Sequence, residues 1–192
     1  MRRGLFAVLA VVGLLVLVAL MVFGSYVSAR NQMVAKDQVV KTAWSEVDVQ
    51  MQRRADLIPN LVETVKGFTK EESGVYGEIA QARQGYMNAQ TPQQKIAANG
   101  QLDGSLAKLL VLTENYPQLR SSEQFMRLQD ELAGTENRIA VARKRYNDSL
   151  QDYNTFILQF PNNLWAGMAG FQQNNARFTA SPGAQNVPQV KF

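Results

Sequence analysis

The densest set of chemistry-bearing side chains in this 192-residue chain is Arg53, Arg54 and Asp56, with Asn60 and Glu63 following one and two turns on. On one helix these residues make a polar site. The competing reading is structural: Arg54 pairs with a carboxylate such as Glu131 or Glu136 from a later helix, because a half-buried arginine without a partner is costly to desolvate. Residue types exclude most catalysis. The chain has no histidine and no cysteine, so a thiol nucleophile, a Ser-His-Asp triad and an imidazole base are absent. Cys/His zinc sites and Glu-x-x-His di-iron sites are excluded for the same reason. Adjacent carboxylates, Glu71 with Glu72 and Asp130 with Glu131, point to different faces of a helix, and nothing marks a glycosidase cleft between them. The expectation is a protein that is no enzyme, with no cofactor and no metal.

Two further sets invite a binding role. Asn137, Asn147 and Asn154, with Tyr116, Tyr146 and Tyr153, read either as a groove for a peptide or glycan or as core tyrosines whose hydroxyls each find one partner. Leu164, Trp165, Met168 and Phe171 read as one apolar face of a short helix. That face packs on its own domain, dips into a membrane interface or docks on a second copy. The chain ends Val187-Pro188-Gln189-Val190-Lys191-Phe192, an apolar terminus of the kind captured by strand addition.

What must position these residues begins with the N-terminus. Leu5 to Phe23 is apolar at every position but Gly13, directly after Arg2 and Arg3. At about 1.5 Å per residue it just spans a hydrocarbon core of about 30 Å. Val27-Ser28-Ala29 before Arg30 resembles a signal cleavage site, but the apolar run exceeds the roughly 7–15 residues of a signal peptide. The expected arrangement is a cytoplasmic N-terminus over 1–4, a retained single anchor over 5–23 and a juxtamembrane helix over 24–39. Two arginines on the short side place the domain outside the cytoplasm. Without cysteine, a lipid-modified cysteine anchor is excluded. The net charge of +4 includes Arg2 and Arg3, so the remainder carries about +2, too little to argue for nucleic acid.

Beyond the anchor the pattern is helical. Val40, Trp44, Val47, Met51, Ala55, Ile58, Val62 and Val65 form a near-heptad stripe with a stutter from Met51 to Ala55, where the strict heptad position is Arg54. Pro59 predicts a kink, the stripe staying in phase across it; a new start near Asp56 is the alternative. A second helix is expected from about Glu71 to Asn88, with Val75, Tyr76, Ile79, Ala82 and Tyr86 inward, weakened by Gly74, Gly77 and Gly85. Thr91-Pro92-Gln93-Gln94 is a capping box opening a third helix. That helix runs to about Asn115 with Ile96, Leu102, Leu106, Leu109, Leu110 and Leu112 apolar, and stops before Pro117. Ser121 with Gln124 predicts the cap of a fourth, from Phe125 to Phe160, a rod of about 55 Å ended by Pro161. The fold class is all-α: a four-helix bundle over 40–161 with a long kinked first helix, or a long antiparallel coiled-coil variant, preceded by one transmembrane helix. Residues 162–192 read as an apolar glycine-spaced segment and then, from Gln172, a mostly disordered tail.

The block Ala43-Trp44-Ser45-Glu46-Val47-Asp48-Val49-Gln50-Met51-Gln52-Arg53-Arg54-Ala55-Asp56-Leu57-Ile58-Pro59-Asn60-Leu61-Val62-Glu63-Thr64-Val65-Lys66-Gly67 resembles the signature of the LemA family. Glu114-Asn115-Tyr116-Pro117, Glu136 to Arg143, Arg145-Tyr146-Asn147 and Tyr153-Asn154 are similar to further LemA segments. The resemblance implies a single-span protein of a bacterial inner membrane carrying a four-helix-bundle domain, with no settled activity. It hints at a helper role beside other membrane proteins. Where the family often has aromatic and acidic residues after the apolar stretch, this chain reads Arg177-Phe178-Thr179-Ala180. The functional expectation is a membrane-anchored scaffold or adaptor that works by contact with membrane proteins or with itself. The alternative is a binding module for a small ligand or envelope polymer on the Tyr/Asn face.

Overall fold

The structure is a computed structural model that describes residues 2–69 and 73–179. All regular structure among them is helical: α1 (Arg2–Lys66), α2 (Ser73–Asn88), α3 (Pro92–Thr113), α4 (Pro117–Arg120), α5 (Glu123–Leu158) and α6 (Asn162–Ala169). α1 is one unbroken helix of 65 residues that passes through Pro59, so the first helix continues out of the apolar segment and no new start occurs near Asp56. Its most apolar window, within Leu9–Lys66, is 0% buried. α1 therefore carries one stretch long and apolar enough to cross a membrane.

The chain forms two compact units. The first comprises Met1–Lys41 and Ser149–Asn174. Its core is Ala29, Met33 and Val40 of α1, Leu150, Tyr153 and Ile157 of α5, and Ala166 of α6. The second comprises Thr42–Asp148 with the chain from Asn175 onward. There the α1 stripe buries Val47, Met51, Ala55, Ile58, Leu61 and Val65; α2 adds Ile79, Ala82 and Tyr86; α3 adds Leu102, Leu106 and Leu109; α5 adds Phe125, Ile139 and Tyr146. Leu110, expected inward, is exposed at 37%. It follows Leu109 by one residue, and a helix turns neighbours about 100° apart, so only one of the two reaches the core.

The starts follow local chemistry. Thr91 Oγ1 accepts from Gln94 N at 3.2 Å, and Gln94 Oε1 accepts from Thr91 N at 3.2 Å, a complete capping box with Pro92 at the first position. The fourth expected helix begins one residue later than its Ser121 signal. Ser122 Oγ accepts from Phe125 N, while Ser121 Oγ donates to Gln118 O. Pro117 does more than stop α3; it opens the single turn α4, as proline at a first helical position allows.

α5 ends at Leu158, leaving Phe160 outside it and 80% exposed. α6 ends at Gly170, whose φ of 77° is left-handed and favours glycine. Phe171 N closes the end on Ala166 O at 3.0 Å. Phe171 therefore lies past the helix rather than on its apolar face. The expected disorder after Gln172 is also corrected for residues 172–179. They are irregular but held, with Ala176 2% exposed. Polar composition hid this because the segment takes its hydrogen bonds from α5 side chains instead of from a regular ladder. The Val187–Phe192 terminus lies outside the described residues.

Candidate functional site

The charged residues of α1 do not converge. Arg54, with its side chain 11% exposed, reaches Asp103 Oδ1 of α3 at 2.6 Å and Glu136 Oε2 of α5 at 2.7 Å through one Nη1. Asn99 donates to Asp103 Oδ2 at 3.0 Å, and Arg143 Nη2 approaches the same oxygen at 3.7 Å. Arg54 sits at the stutter, the one point where a heptad position falls on a charged residue. It ties three helices together there. Burial pushes the Asp103 carboxyl above its ordinary value, against the pull of Arg54 and Arg143. Glu136 is the partner; Glu131 is not. Five residues separate these glutamates, which sets them about 140° apart around α5.

Arg53 is exposed. Asp56 turns toward α2, accepting from Gln52 Nε2 at 3.0 Å with Arg83 Nη2 at 3.7 Å. Asn60 and Glu63 line a third place, an open groove of about 820 Å³ shared with Ser122, Arg127 and Glu131. Four of these five polar residues thus serve three separate surroundings and Arg53 faces solvent, because the helix fans them around its axis.

Sequence reasoning missed two polar centres. Asp48 of α1 accepts from Lys95 Nζ at 2.6 Å through both oxygens and from the Tyr86 hydroxyl at 3.0 Å. Burial pushes the Tyr86 hydroxyl up, and the Asp48 charge adds to it. A tyrosine on an inward stripe needs a polar partner, and that requirement was the available signal. The second centre follows from Pro59. A proline has no N–H, so the carbonyl four residues back, Ala55 O, loses its helical donor. Arg83 Nε of α2 supplies the missing bond at 2.9 Å. An arginine that closes a proline gap explains how α1 continues through Pro59 with its ladder satisfied.

The Asn/Tyr face has an occupant, the chain's own segment. In the second unit Asn147 grips Phe178 by both backbone groups, Nδ2 donating to Phe178 O at 2.8 Å and Oδ1 accepting from Phe178 N at 3.1 Å. The Phe178 ring stacks on Trp44 with centroids 6.2 Å apart, meets Tyr146 edge-on at 5.9 Å, and lies under the Arg143 guanidinium at 5.0 Å. In the first unit Asn154 grips Asn174 in the same two-way manner at 2.7 and 3.0 Å, and the Tyr153 hydroxyl donates to Gln172 O at 3.0 Å. Asn137 is exposed and lines a different groove, with Val49 and Arg138. Asn147 and Asn154 stand seven residues apart, on one flank of α5. Side-chain amides there copy a backbone edge.

Trp165 meets Tyr26 of α1 edge-on, with centroids 5.7 Å apart. Ala166 beside it is buried, whereas Leu164 and Met168 are exposed at 53% and 74%. Trp165 therefore faces inward, and it does not share a face with Leu164 and Met168.

Among the described residues no cluster of acidic side chains is arranged to hold a metal. In this all-helical protein Arg54, Asp48 and Lys95 use their charge to join helices, whereas pairs such as Lys144 with Asp148 lie along a single helix. The particular family follows from the sequence: the chain belongs to the LemA family, whose model matches residues 43–192. It is 24% identical over 169 residues to magnetosome proteins MamQ 1 and MamQ 2 of Paramagnetospirillum magneticum, covering 74% of this chain and 62% of theirs. It is 22% identical over 142 residues to Protein LemA of Metamycoplasma hominis, covering 73% of this chain and 65% of that one. The chain thus spans less than two thirds of the length of these relatives.

Proposed function

We propose that this protein is a non-enzymatic, membrane-anchored scaffold or adaptor. In this reading Leu5–Phe23 spans a bacterial inner membrane once, and a four-helix bundle built from α1, α2, α3 and α5 works outside the cytoplasm. It acts by contact with other membrane proteins or with further copies of itself. The observation that carries the reading is the continuity of α1. One helix contains both the apolar, unburied stretch and the Arg54 centre that joins α3 and α5. An anchor joined to its domain in one chain raises the effective concentration of that domain at the membrane. The relatives' names, MamQ and LemA, specify no reaction.

The test is crosslinking of the full-length protein in its own membrane, followed by affinity capture, mass spectrometry and sizing. A ladder of self-crosslinks supports a homo-oligomeric scaffold, and one dominant membrane-protein partner supports an adaptor. A protein that stays monomeric and captures nothing overturns the reading. A second reading, a binding module, draws on the groove at Asn60 and Glu63, which is open and mixes charged residues with Phe68 and Leu128. It predicts saturable thermal stabilisation by an envelope polymer or small ligand, which a contact scaffold does not show.

A further inference from the structure

A helix beside water turns its large apolar side chains inward and its small or polar ones outward. Of the large apolar side chains of α6, only Trp165 follows this rule. The helix's inward residues are Ala166, buried, and Asn162, Trp165 and Ala169, half-buried. Leu164 and Met168 are exposed at 53% and 74%, alongside the small or polar Asn163 and Gly167, and Phe160 in the turn before the helix is 80% exposed. Leu158, at the end of α5, adds another exposed apolar side chain at 56%. A water-facing surface rarely gathers so many large apolar groups without something to cover them.

The position of α6 says what covers them. The Trp165 ring lies against Tyr26, three residues after Phe23, where the apolar stretch of α1 ends. Leu20, Met21 and Phe23 of that stretch are exposed at 66%, 66% and 64%. Arg30 follows Tyr26 by one turn and is exposed. A Trp–Tyr pair at the end of an apolar span, with an arginine just beyond, is the residue order of a membrane–water boundary. All of these groups belong to one compact unit.

We infer that α6 is an interfacial helix, which seats Phe160, Leu164 and Met168 in the lipid surface where α1 leaves the bilayer. The occupant of this apolar face is lipid. A short helix with an exposed apolar face lies in the interface plane at the depth where tails meet headgroups. It gives the anchor a second point of attachment to the membrane. The inference rests on the anchor reading above and adds a site that an anchor alone does not require.

The chain has two tryptophans, Trp44 and Trp165, which makes the test direct. Full-length protein is reconstituted into phosphatidylcholine–phosphatidylglycerol vesicles whose acyl chains carry bromine near the headgroup end. Flotation is scored first, then fluorescence. In Trp44→Phe, where Trp165 alone emits, brominated lipid should cut emission about twofold, while Trp165→Phe, where Trp44 alone emits, should be nearly unaffected. Leu164→Glu with Met168→Glu, in the Trp44→Phe background, should remove most of the quenching and still float. Both changes are on the outward face, so folding is spared. Protein that floats while Trp165 escapes quenching as fully as Trp44 overturns the interfacial helix and leaves the anchor standing. Protein that fails to float overturns the anchor and the inference together. Disulfide-linked dimers from Met168→Cys, without lipid quenching, would assign the face to a second copy and overturn the lipid assignment.

Discussion

Arg54 is where residue chemistry decides the most. Its guanidinium stands between Asp103 and Glu136, so Arg54→Met leaves two carboxylates facing one another near the core. Loss of one partner from a well-buried ion pair costs about 3–5 kcal/mol, and the partial exposure of both carboxylates lowers the expectation to about 1–3 kcal/mol. The effect has a definite pH sense. Arg54 is the largest influence holding the Asp103 carboxyl down against burial, so its removal raises that carboxyl further in the folded state. A group whose folded value lies above its unfolded value binds more protons when folded, and stability falls as pH rises through that window. Thermal melts of the variant should therefore lie farthest below the native protein near neutral pH, and the gap should narrow in acid. A gap that stays constant with pH would mean that Arg54 acts through packing alone. The same scale explains why the charged run on α1 misled. Its density suggested one site, but adjacent helical residues diverge by about 100°. That Arg54 pairs with a carboxylate of α5 was legible from its heptad position, but the choice of Glu136 over Glu131 and the part of Asp103 were not.

At the scale of elements, the segment 171–179 is the least expected part of the molecule. It has no regular secondary structure of its own, yet its backbone is paired by Asn147 and Asn154. Asn147→Ala removes both bonds to Phe178. A net bond contributes about 0.5–1.5 kcal/mol, so the loss should be about 1–3 kcal/mol, felt mainly by the segment. Amide exchange at Phe178 should speed up by about tenfold or more, and Trp44 fluorescence should shift as the Phe178 ring leaves it. Asn137→Ala, on another flank of α5, should change neither signal. Unchanged exchange at Phe178 in Asn147→Ala would show that the aromatic contacts hold the segment without the amide. Helices α1, α2, α3 and α5 were readable because apolar periodicity and caps such as Thr91 act locally. The extended segment was not, because asparagines seven residues apart on α5 reveal their role only when the distant chain is laid against them. Arg83 is similar. Pro59 advertises that Ala55 O lacks a donor, but only the fold shows that α2 delivers one.

At the scale of the whole molecule, the proposed anchor gives the domain a side of the membrane, and the residue inventory makes that side measurable. The chain has no cysteine, so any single cysteine reports alone. Arg53 is exposed and takes part in none of the helix-joining contacts around Arg54 and Asp56, which makes Arg53→Cys a quiet probe. Two arginines before the apolar stretch, on its short side, favour a cytoplasmic N-terminus, and the domain then lies outside. A membrane-impermeant maleimide should label Arg53→Cys in intact cells as fully as in lysed ones. Gly4→Cys, which keeps both arginines, should be labelled only after lysis. The opposite pattern would reverse the orientation and bring Arg30, Lys36 and Lys41 to the cytoplasmic side. The scaffold would then have to find its partners in the cytoplasm. The interfacial seat of α6 would be unaffected, because a headgroup layer exists on either face of the bilayer. Orientation and the α6 site are therefore independent, and the pair of experiments separates where the protein works from how it is held.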